Sequence, residues 1–258
     1  MTRSQSYQVP IAEAANTNSL MHRIRRKMAS AFRHSSRWES APFESSAVYW
    51  EERYGNGSNS GSGSYGRLAL FKANIINQFV RGHEVVSVIE FGCGDGSQLK
   101  LADYPEYTGI DVSPSATALC RRLFAGDPRK NFLNLDNPES EAACAELALS
   151  LDVIYHLVED DTYEAYMRRL VRAATRFICI YSSNVELPGH VPHIRHRCFT
   201  TWLAVNAPEW KLSTYICNEY PYDINNPTET SWADFYFFER EDGATIVPFF
   251  TSFGKAGA

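Results

Sequence analysis

The stretch that decides the fold of this chain is Val88-Ile89-Glu90-Phe91-Gly92-Cys93-Gly94-Asp95-Gly96. It begins inside residues 85–91, an unbroken β-prone run of the kind found in strands that are buried on both faces. Glycines then follow at alternate positions, at the carboxyl end of a first strand, which is where a doubly wound sheet holds its ligand. A dinucleotide-binding fingerprint, G-x-G-x-x-G, would need glycine at position 97, where the chain has Ser97. The spacing therefore disfavours a nicotinamide-dependent oxidoreductase.

The segments after this stretch alternate between strand and helix patterns. Ser113 and Pro114 provide an N-cap and a first helical residue for a helix that we expect to run to about Phe124. Asp161-x-x-Glu164 predicts the start of a later helix. The other expected elements are strands at 107–112, 131–135, 147–155, 176–181, 211–217 and 233–239, and a helix at 199–205. Such alternation predicts an α/β fold with a mostly parallel sheet and helices on both faces.

Three motifs, taken in order, resemble those of the class I S-adenosylmethionine-dependent methyltransferases. The first motif of that family is matched residue for residue by 88–96, the second by Gly109-Ile110-Asp111-Val112-Ser113, and the fourth-strand motif by 149–156. The resemblance is strong over residues 85–182 and implies a Rossmann-like, doubly wound sheet with a C-terminal antiparallel hairpin. One departure is the short stretch from Ser97 to Glu106, which leaves room only for a stubby first helix.

The resemblance implies S-adenosylmethionine as the cofactor and assigns residues to it. The glycine loop would cradle the methionine and ribose parts, with Glu90 orienting that loop. Asp111 would bind the ribose hydroxyls, because a carboxylate can accept two O–H donors. Asp136, just past the third strand, falls where the family often contacts adenine. The cofactor-binding residues expected on this basis are Glu90, Gly92, Cys93, Gly94, Gly96, Asp111, Asp136, Leu151 and Asp152.

A methyl acceptor needs a second set of residues. His156 is the candidate general base, since an imidazole titrates near working pH; a histidine that is hydrogen-bonded at a strand end is the alternative. His190, His193 and His196 form an H-x-x-H-x-x-H run, but proline and glycine kink this segment, which disfavours convergence on a metal ion. The run lies beside arginines, so either a loop that binds a phosphate or carboxylate of the substrate or a solvated surface loop remains open. The substrate-binding candidates are Tyr65, Arg67, His193, Arg195 and His196, and no metal is expected.

The net charge of −5 is distributed unevenly along the chain. Residues 1–40 carry +5 and the remainder −10, and such an acidic body argues against nucleic-acid binding. Apolar residues at helical spacing in 20–33 predict a basic amphipathic helix, which could touch an anionic membrane surface weakly, resemble part of a transit peptide or dock on its own domain. The expected organisation is a basic, partly disordered arm at 1–40, a helical lead-in with a Gly/Ser-rich loop that could close as a lid at 41–82, and the methyltransferase domain at 83–258.

The composition is that of a soluble globular protein. The chain has 258 residues and a mean hydropathy of −0.32, and no apolar run approaches the roughly 20 residues that span a bilayer. Six scattered cysteines without a C-x-x-C pair or a preceding signal peptide favour reduced thiols in the cytoplasm. We therefore expect a cytoplasmic enzyme that methylates an oxygen, or a nitrogen, of a small-molecule or glycan-like acceptor. The alternative is a non-catalytic protein of the same fold that docks a partner or a membrane surface through its basic helix.

Overall fold

The structure is a computed structural model that describes residues 43–189 and 191–241. Its strands are β1 (Ser87–Phe91), β2 (Glu106–Asp111), β3 (Lys130–Asn134), β4 (Ala145–Leu151), β5 (Ala174–Ser182), β6 (Leu187–Pro188), β7 (Arg195–His196), β8 (Trp210–Ile216) and β9 (Asp234–Arg240). Its α-helices are α1 (Ser46–Gly55), α2 (Gly66–Gly82), α3 (Pro114–Leu123), α4 (Pro138–Ala142), α5 (Asp160–Ala173) and α6 (Phe199–Asn206). Short 3₁₀ turns lie at Ser62–Ser64, Leu99–Leu101 and Ile154–His156.

The main sheet has seven strands in the order β3-β2-β1-β4-β5-β9-β8. Pairing is parallel from β3 through to β5, whereas β9 is antiparallel to both β5 and β8. The predicted Rossmann-like, mostly parallel sheet with a C-terminal antiparallel hairpin is confirmed. Because β2 and β4 lie on opposite sides of β1, the crevice for a ligand is expected at the carboxyl ends of β1 and β4.

Helices cover both faces of the sheet, as the alternating pattern predicts. Side chains of β1 point alternately to two separate clusters, with Val88 in one and Ile89 in the other. Ile76 of α2 belongs to the Val88 cluster, and Met167 of α5 belongs to the Ile89 cluster. Burial of these apolar faces on either side fixes which strand ends meet at the crevice.

Local signals placed most helix starts correctly. Ser113 accepts a hydrogen bond from the backbone N–H of Ala116 and Pro114 is the first residue of α3, so the predicted cap is confirmed. The cap predicted at Asp161-x-x-Glu164 is wrong, because α5 begins at Asp160 with Glu159 at the N-cap position and no side-chain cap bond. The stubby helix expected after Ser97 is present as the 3₁₀ turn at Leu99–Leu101.

The fourth strand is shorter than predicted. It ends at Leu151 rather than at residue 155. Asp152 adopts a left-handed backbone conformation with φ of 60°, which a strand cannot accommodate, and the chain turns into Ile154–His156. Asp152 and His156 are therefore placed on a turn above the sheet.

Two predicted features lie outside the described residues. These are the basic arm at 1–40 with its amphipathic helix at 20–33, and His190 of the histidine run. Within the described part of the chain, none of the helices combines the length and apolar character needed to cross a membrane.

Candidate functional site

A cavity of about 680 Å³, called here the larger cavity, opens at the carboxyl ends of the central strands. Its lining includes residues that follow β1, β2 and β4, namely Gly92, Val112 and Asp152. Trp50 and Tyr54 of α1 line it as well, so the helical lead-in contributes one of its walls. Ligand pockets in proteins typically have volumes of about 300–1,000 Å³. The cavity is therefore large enough for a cofactor and lies where this fold binds one.

The glycine loop after β1 packs too closely against its neighbours for side chains to fit. Gly92 has φ of 86° and Gly94 has φ of 56°, the left-handed region that favours glycine. A Cβ on Gly92 would lie 2.4 Å from a methyl carbon of Val153, and one on Gly94 would lie 2.4 Å from Ser60 Oγ. The loop thus presents bare backbone beneath the lead-in segment.

Asp111 is the buried carboxylate at the end of β2. Its Oδ2 accepts from the N–H of Gly94 and its Oδ1 accepts from the N–H of Ser113, both at 2.9 Å. Burial raises the pKa of Asp111 to about 6, against the lowering effect of these backbone hydrogen bonds. The N–H of Val112 also acts on this carboxylate, and because a carboxylate has about four acceptor sites, Asp111 can still accept from a ligand in the larger cavity.

Glu90 is the second buried carboxylate of the larger cavity. Its Oε2 accepts from the hydroxyl of Tyr107 at 2.6 Å, and burial raises the pKa of Glu90 to about 7. Lys72 lies close enough to oppose part of that shift. Acidic side chains outnumber basic ones in the lining: Glu90, Asp95, Asp111, Asp152 and Asp161 against Arg53, Lys72 and Arg169. This excess favours a ligand that carries positive charge.

Two buried polar atoms belonging to lining residues have no hydrogen-bond partner among the described residues. They are Oε1 of Gln98 and Nε of Arg169. Both atoms are enclosed by the surrounding protein, where unpaired polar groups are rare.

Asp152 is held in a network that spans three elements. Lys72, on α2 and only 1% exposed at its side chain, places Nζ 2.6 Å from Asp152 Oδ2. The hydroxyl of Tyr155 donates to Asp152 Oδ1 at 2.8 Å. A non-glycine residue with positive φ is energetically costly and persists only where surrounding contacts fix it. The ion pair and hydrogen bond provide that fixation at the edge of the larger cavity.

His156 faces the larger cavity from the turn after β4. Its Nδ1 lies 3.1 Å from the carbonyl oxygen of His193, and since a carbonyl only accepts, Nδ1 carries the proton and Nε2 holds the lone pair. Trp50 packs edge-on to its ring at 4.9 Å between centroids. Burial lowers the pKa of His156 to about 4, so the imidazole is neutral at physiological pH.

The Gly/Ser-rich segment is fastened to the glycine loop. Asp95 Oδ2 accepts from the N–H of Ser60 at 2.9 Å and from the hydroxyl of Tyr65 at 2.6 Å. Glu51 of α1 accepts from the hydroxyls of Ser113 and Ser115 at the start of α3. Sequence reasoning missed Glu51 and Ser60 as site residues, although both lie in the helical lead-in with a Gly/Ser-rich loop that the sequence predicts at 41–82.

The structure brings most of the predicted site residues to one place. Those lining the larger cavity are Glu90, Gly92, Cys93, Gly94, Asp111, Leu151, Asp152, His156 and His193. His196 lines a smaller cavity beside it, buried with its Nδ1 2.7 Å from Ser183 Oγ. Those lining neither cavity are Tyr65, Arg67, Gly96, Asp136 and Arg195. Asp136 is exposed, and its neighbour Leu135 reaches the larger cavity instead.

The arginines of the histidine run are committed to ion pairs. Arg195 pairs with Asp160 at 2.9 Å, and Arg197 donates to Asp160 and to the carbonyl of Val158. These contacts hold residues 195–197 against the start of α5, and neither arginine lines either cavity. Neither arginine is therefore available to bind a phosphate or carboxylate of a substrate, as the interpretation of this run as an anion-binding loop requires. Within 43–189 and 191–241, no group of three or more His, Cys, Asp or Glu side chains could hold a metal ion.

Part of the chain matches one protein-family model, and its fold is similar to that of several solved structures. Residues 89–179 match the model of a family described as a methyltransferase domain. Magnesium protoporphyrin IX methyltransferase (ChlM) from Synechocystis PCC 6803, solved with bound SAM, is similar with a TM-score of 0.54 and 12% identity over 78% of this chain and 100% of that chain. N-methyltransferase NodS from Bradyrhizobium japonicum WM9, solved with S-adenosyl-L-homocysteine, gives 0.50 and 14% over 83% and 97%. The methyltransferase domain of bacterial-CtHen1-C gives 0.51 and 18% over 67% and 97%.

At these identities the likeness to solved structures concerns the fold alone. The search of curated proteins produced no match.

Proposed function

We propose that the chain is a class I S-adenosylmethionine-dependent methyltransferase that methylates an oxygen, or a nitrogen, of a small-molecule or glycan-like acceptor. The observation that carries the proposal is the larger cavity, where a bare glycine loop and the buried carboxylate of Asp111 meet at the carboxyl ends of β1 and β2. The acidic excess of its lining suits a cationic sulfonium.

The residues present fit S-adenosylmethionine, which supplies a methyl group attached to a positively charged sulfur. Glu90 and the backbone of the glycine loop would hold its amino-acid part, and Asp111 would accept from its ribose hydroxyls. The adjoining cavity that His196 lines has a single carboxylate, that of Asp152, among its described lining residues.

The contribution of the chain to the reaction is mainly proximity and orientation. Holding two reactants in one enclosed site replaces the entropy loss of a bimolecular encounter. We propose that His156 Nε2 accepts the proton that the acceptor loses, because the neutral imidazole keeps its lone pair at physiological pH. If the His156→Ala variant turns over an identified acceptor at the full kcat, His156 is not the base.

Binding calorimetry with S-adenosylmethionine and S-adenosylhomocysteine tests the cofactor site. Asp111→Ala should weaken both affinities about 10-fold or more, since hydrogen bonds to a charged group contribute roughly 1.5–3 kcal/mol each. Asp103→Ala is a matched control, because Asp103 is exposed and outside both cavities. Absence of binding to the wild-type protein at high micromolar concentration would contradict the proposal and favour a non-catalytic binding protein of the same fold.

We also propose a cytoplasmic location. All six cysteines are free thiols, and Cys144 and Cys217 are exposed without a disulfide partner. Free exposed thiols persist in a reducing compartment.

A further inference from the structure

A second cavity of about 270 Å³, called here the smaller cavity, adjoins the larger one. The two share lining residues from the Gly/Ser-rich segment, Ser62 and Gly63, and from the turn after β4, Asp152 and Tyr155. The far wall of the smaller cavity belongs to the segment at 222–232, between β8 and β9. A molecule in this cavity would thus reach the larger cavity past Asp152.

The wall formed by the 222–232 segment combines aromatic faces and hydroxyls. Tyr222 and Trp232 stack at 4.1 Å between ring centroids and 18° between planes, and both rings are half-buried. Ser62, Thr230 and Ser231 belong to the same lining; the Thr230 hydroxyl donates to the carbonyl of Asn226, and Ser231 Oγ accepts from the N–H of Ala233. A ligand with both an apolar C–H face and several hydroxyls is complementary to such a wall.

Neither lysine nor arginine lines the smaller cavity within the described residues. Arg67, which precedes the lining residue Leu68, donates to the carbonyl of Glu229 and lies over the ring of Tyr220. Arg195 is paired with Asp160. A phosphate or carboxylate in this cavity would therefore meet the carboxylate of Asp152 without a guanidinium to bind it, which disfavours an anionic ligand.

Asp152 is reachable from both cavities because residue 63 is glycine. A Cβ on Gly63 would lie 2.9 Å from Asp152 Oδ2, so any side chain there would press on the carboxylate. The Asp152 side chain is 16% exposed. Each of its oxygens receives one donor, from Lys72 or Tyr155, and retains a lone pair for a ligand hydroxyl.

We propose that the smaller cavity is the acceptor subsite and takes a neutral, polyhydroxylated group of about the size of one sugar ring. The inference rests on the proposed methyl transfer and names the class of acceptor for it. One hydroxyl of the ring donates to Asp152, and an apolar face of the ring lies against Trp232. The cavity volume is just below the range of about 300–1,000 Å³ that drug-sized ligands occupy, which matches a single ring.

Saturation-transfer NMR tests the subsite with the S-adenosylhomocysteine complex. The probes are the methyl glycosides of glucose, galactose, mannose and rhamnose, and the anionic probes are glucose 6-phosphate and mannose 6-phosphate. We expect saturation transfer to at least one neutral glycoside and weaker or no transfer to the sugar phosphates. Trp232→Ala and Gly63→Ala should each reduce the glycoside signal about fivefold or more. Trp202→Ala is the matched control, because Trp202 lies on α6 outside both cavities.

The outcomes separate this proposal from the proposed function. Loss of S-adenosylhomocysteine binding by the wild-type protein would overturn the function itself. Retained cofactor binding with no transfer to any neutral glycoside would overturn the subsite alone. Equal transfer in the wild type and in both Trp232→Ala and Gly63→Ala, or stronger transfer to the sugar phosphates, would also overturn it. Unchanged affinity of Trp232→Ala for S-adenosylhomocysteine shows that this variant is folded.

Discussion

At the residue scale, two buried carboxylates set the electrostatics of the cofactor site. Burial raises the pKa of Glu90 to about 7 and that of Asp111 to about 6, so both take up protons in the folded, ligand-free protein near neutral pH. In the unfolded chain the same groups have ordinary, lower pKa values. The folded state therefore binds more protons, and their contribution to the free energy of unfolding declines as pH rises from about 4 to about 7.

Binding of a cationic cofactor should release protons. Positive charge beside Glu90 and Asp111 favours their ionised forms, so the affinity should rise as pH increases from about 5 to about 8. Calorimetry at pH 6.5 in two buffers of different ionisation enthalpy measures the number of protons released. Glu90→Gln should decrease that number, since Glu90 has the higher pKa. Equal apparent enthalpies in the two buffers would show that neither carboxylate is linked to binding.

At the element scale, one buried ion pair joins α2 to the turn after β4. Lys72 is 1% exposed and pairs with Asp152, a residue with positive φ. The lysine also lies over the ring of Tyr181 on β5. The pair therefore connects the lead-in to the end of the strand whose turn carries His156.

Loss of one partner should destabilise the fold more than loss of both. Lys72→Met should decrease the free energy of unfolding by about 3 kcal/mol, the lower end for a buried pair because Asp152 retains some solvent contact. The double variant Lys72→Met/Asp152→Asn should recover part of that loss, since no unpaired carboxylate remains. Urea denaturation measures both values. An equal loss in the single and double variants would mean that Lys72 acts through packing of its aliphatic chain.

At the scale of the whole molecule, the larger cavity is closed by a segment that lies upstream of the motif-bearing region. Among the described residues its lining begins at Ser46, and α1 provides Trp50 and Tyr54. Glu51 binds the start of α3 and Ser60 binds Asp95, so the lead-in contacts two of the loops that surround the cofactor site. The helical lead-in and the region from residue 83 onward build the site jointly.

Two truncations test where the cofactor site begins. Deletion of residues 1–38 should leave the affinity for S-adenosylhomocysteine within about twofold, because every described lining residue is retained. Deletion of residues 1–56 removes α1 and should weaken the affinity about 10-fold or more, since hot-spot aromatic residues each contribute at least about 2 kcal/mol. Calorimetry on both proteins measures the change. A large loss on removing 1–38 alone would place part of the site in the basic arm.

The sequence by itself determined the sheet, the glycine loop and the carboxylate of Asp111. These depend on local patterns: a buried β-prone run, glycines where φ must be positive, and an N-cap at Ser113 next to Asp111. Residues close in sequence obey such short-range rules whatever the rest of the chain does. The end of the fourth strand was predicted four residues too late because it depends on Asp152, whose conformation is fixed by a distant lysine.

Only the tertiary structure decided which distant residues meet. Lys72 and Asp152 are 80 residues apart in sequence, and Ser60 and Asp95 are 35 apart. The sequence predicted Arg195 as a substrate-binding residue, whereas in the folded chain it pairs with Asp160 at the start of α5. The smaller cavity likewise exists only because the segment at 222–232 faces Gly63. Such contacts result from burial of apolar faces on both sides of the sheet, a property of the whole chain that no local pattern contains.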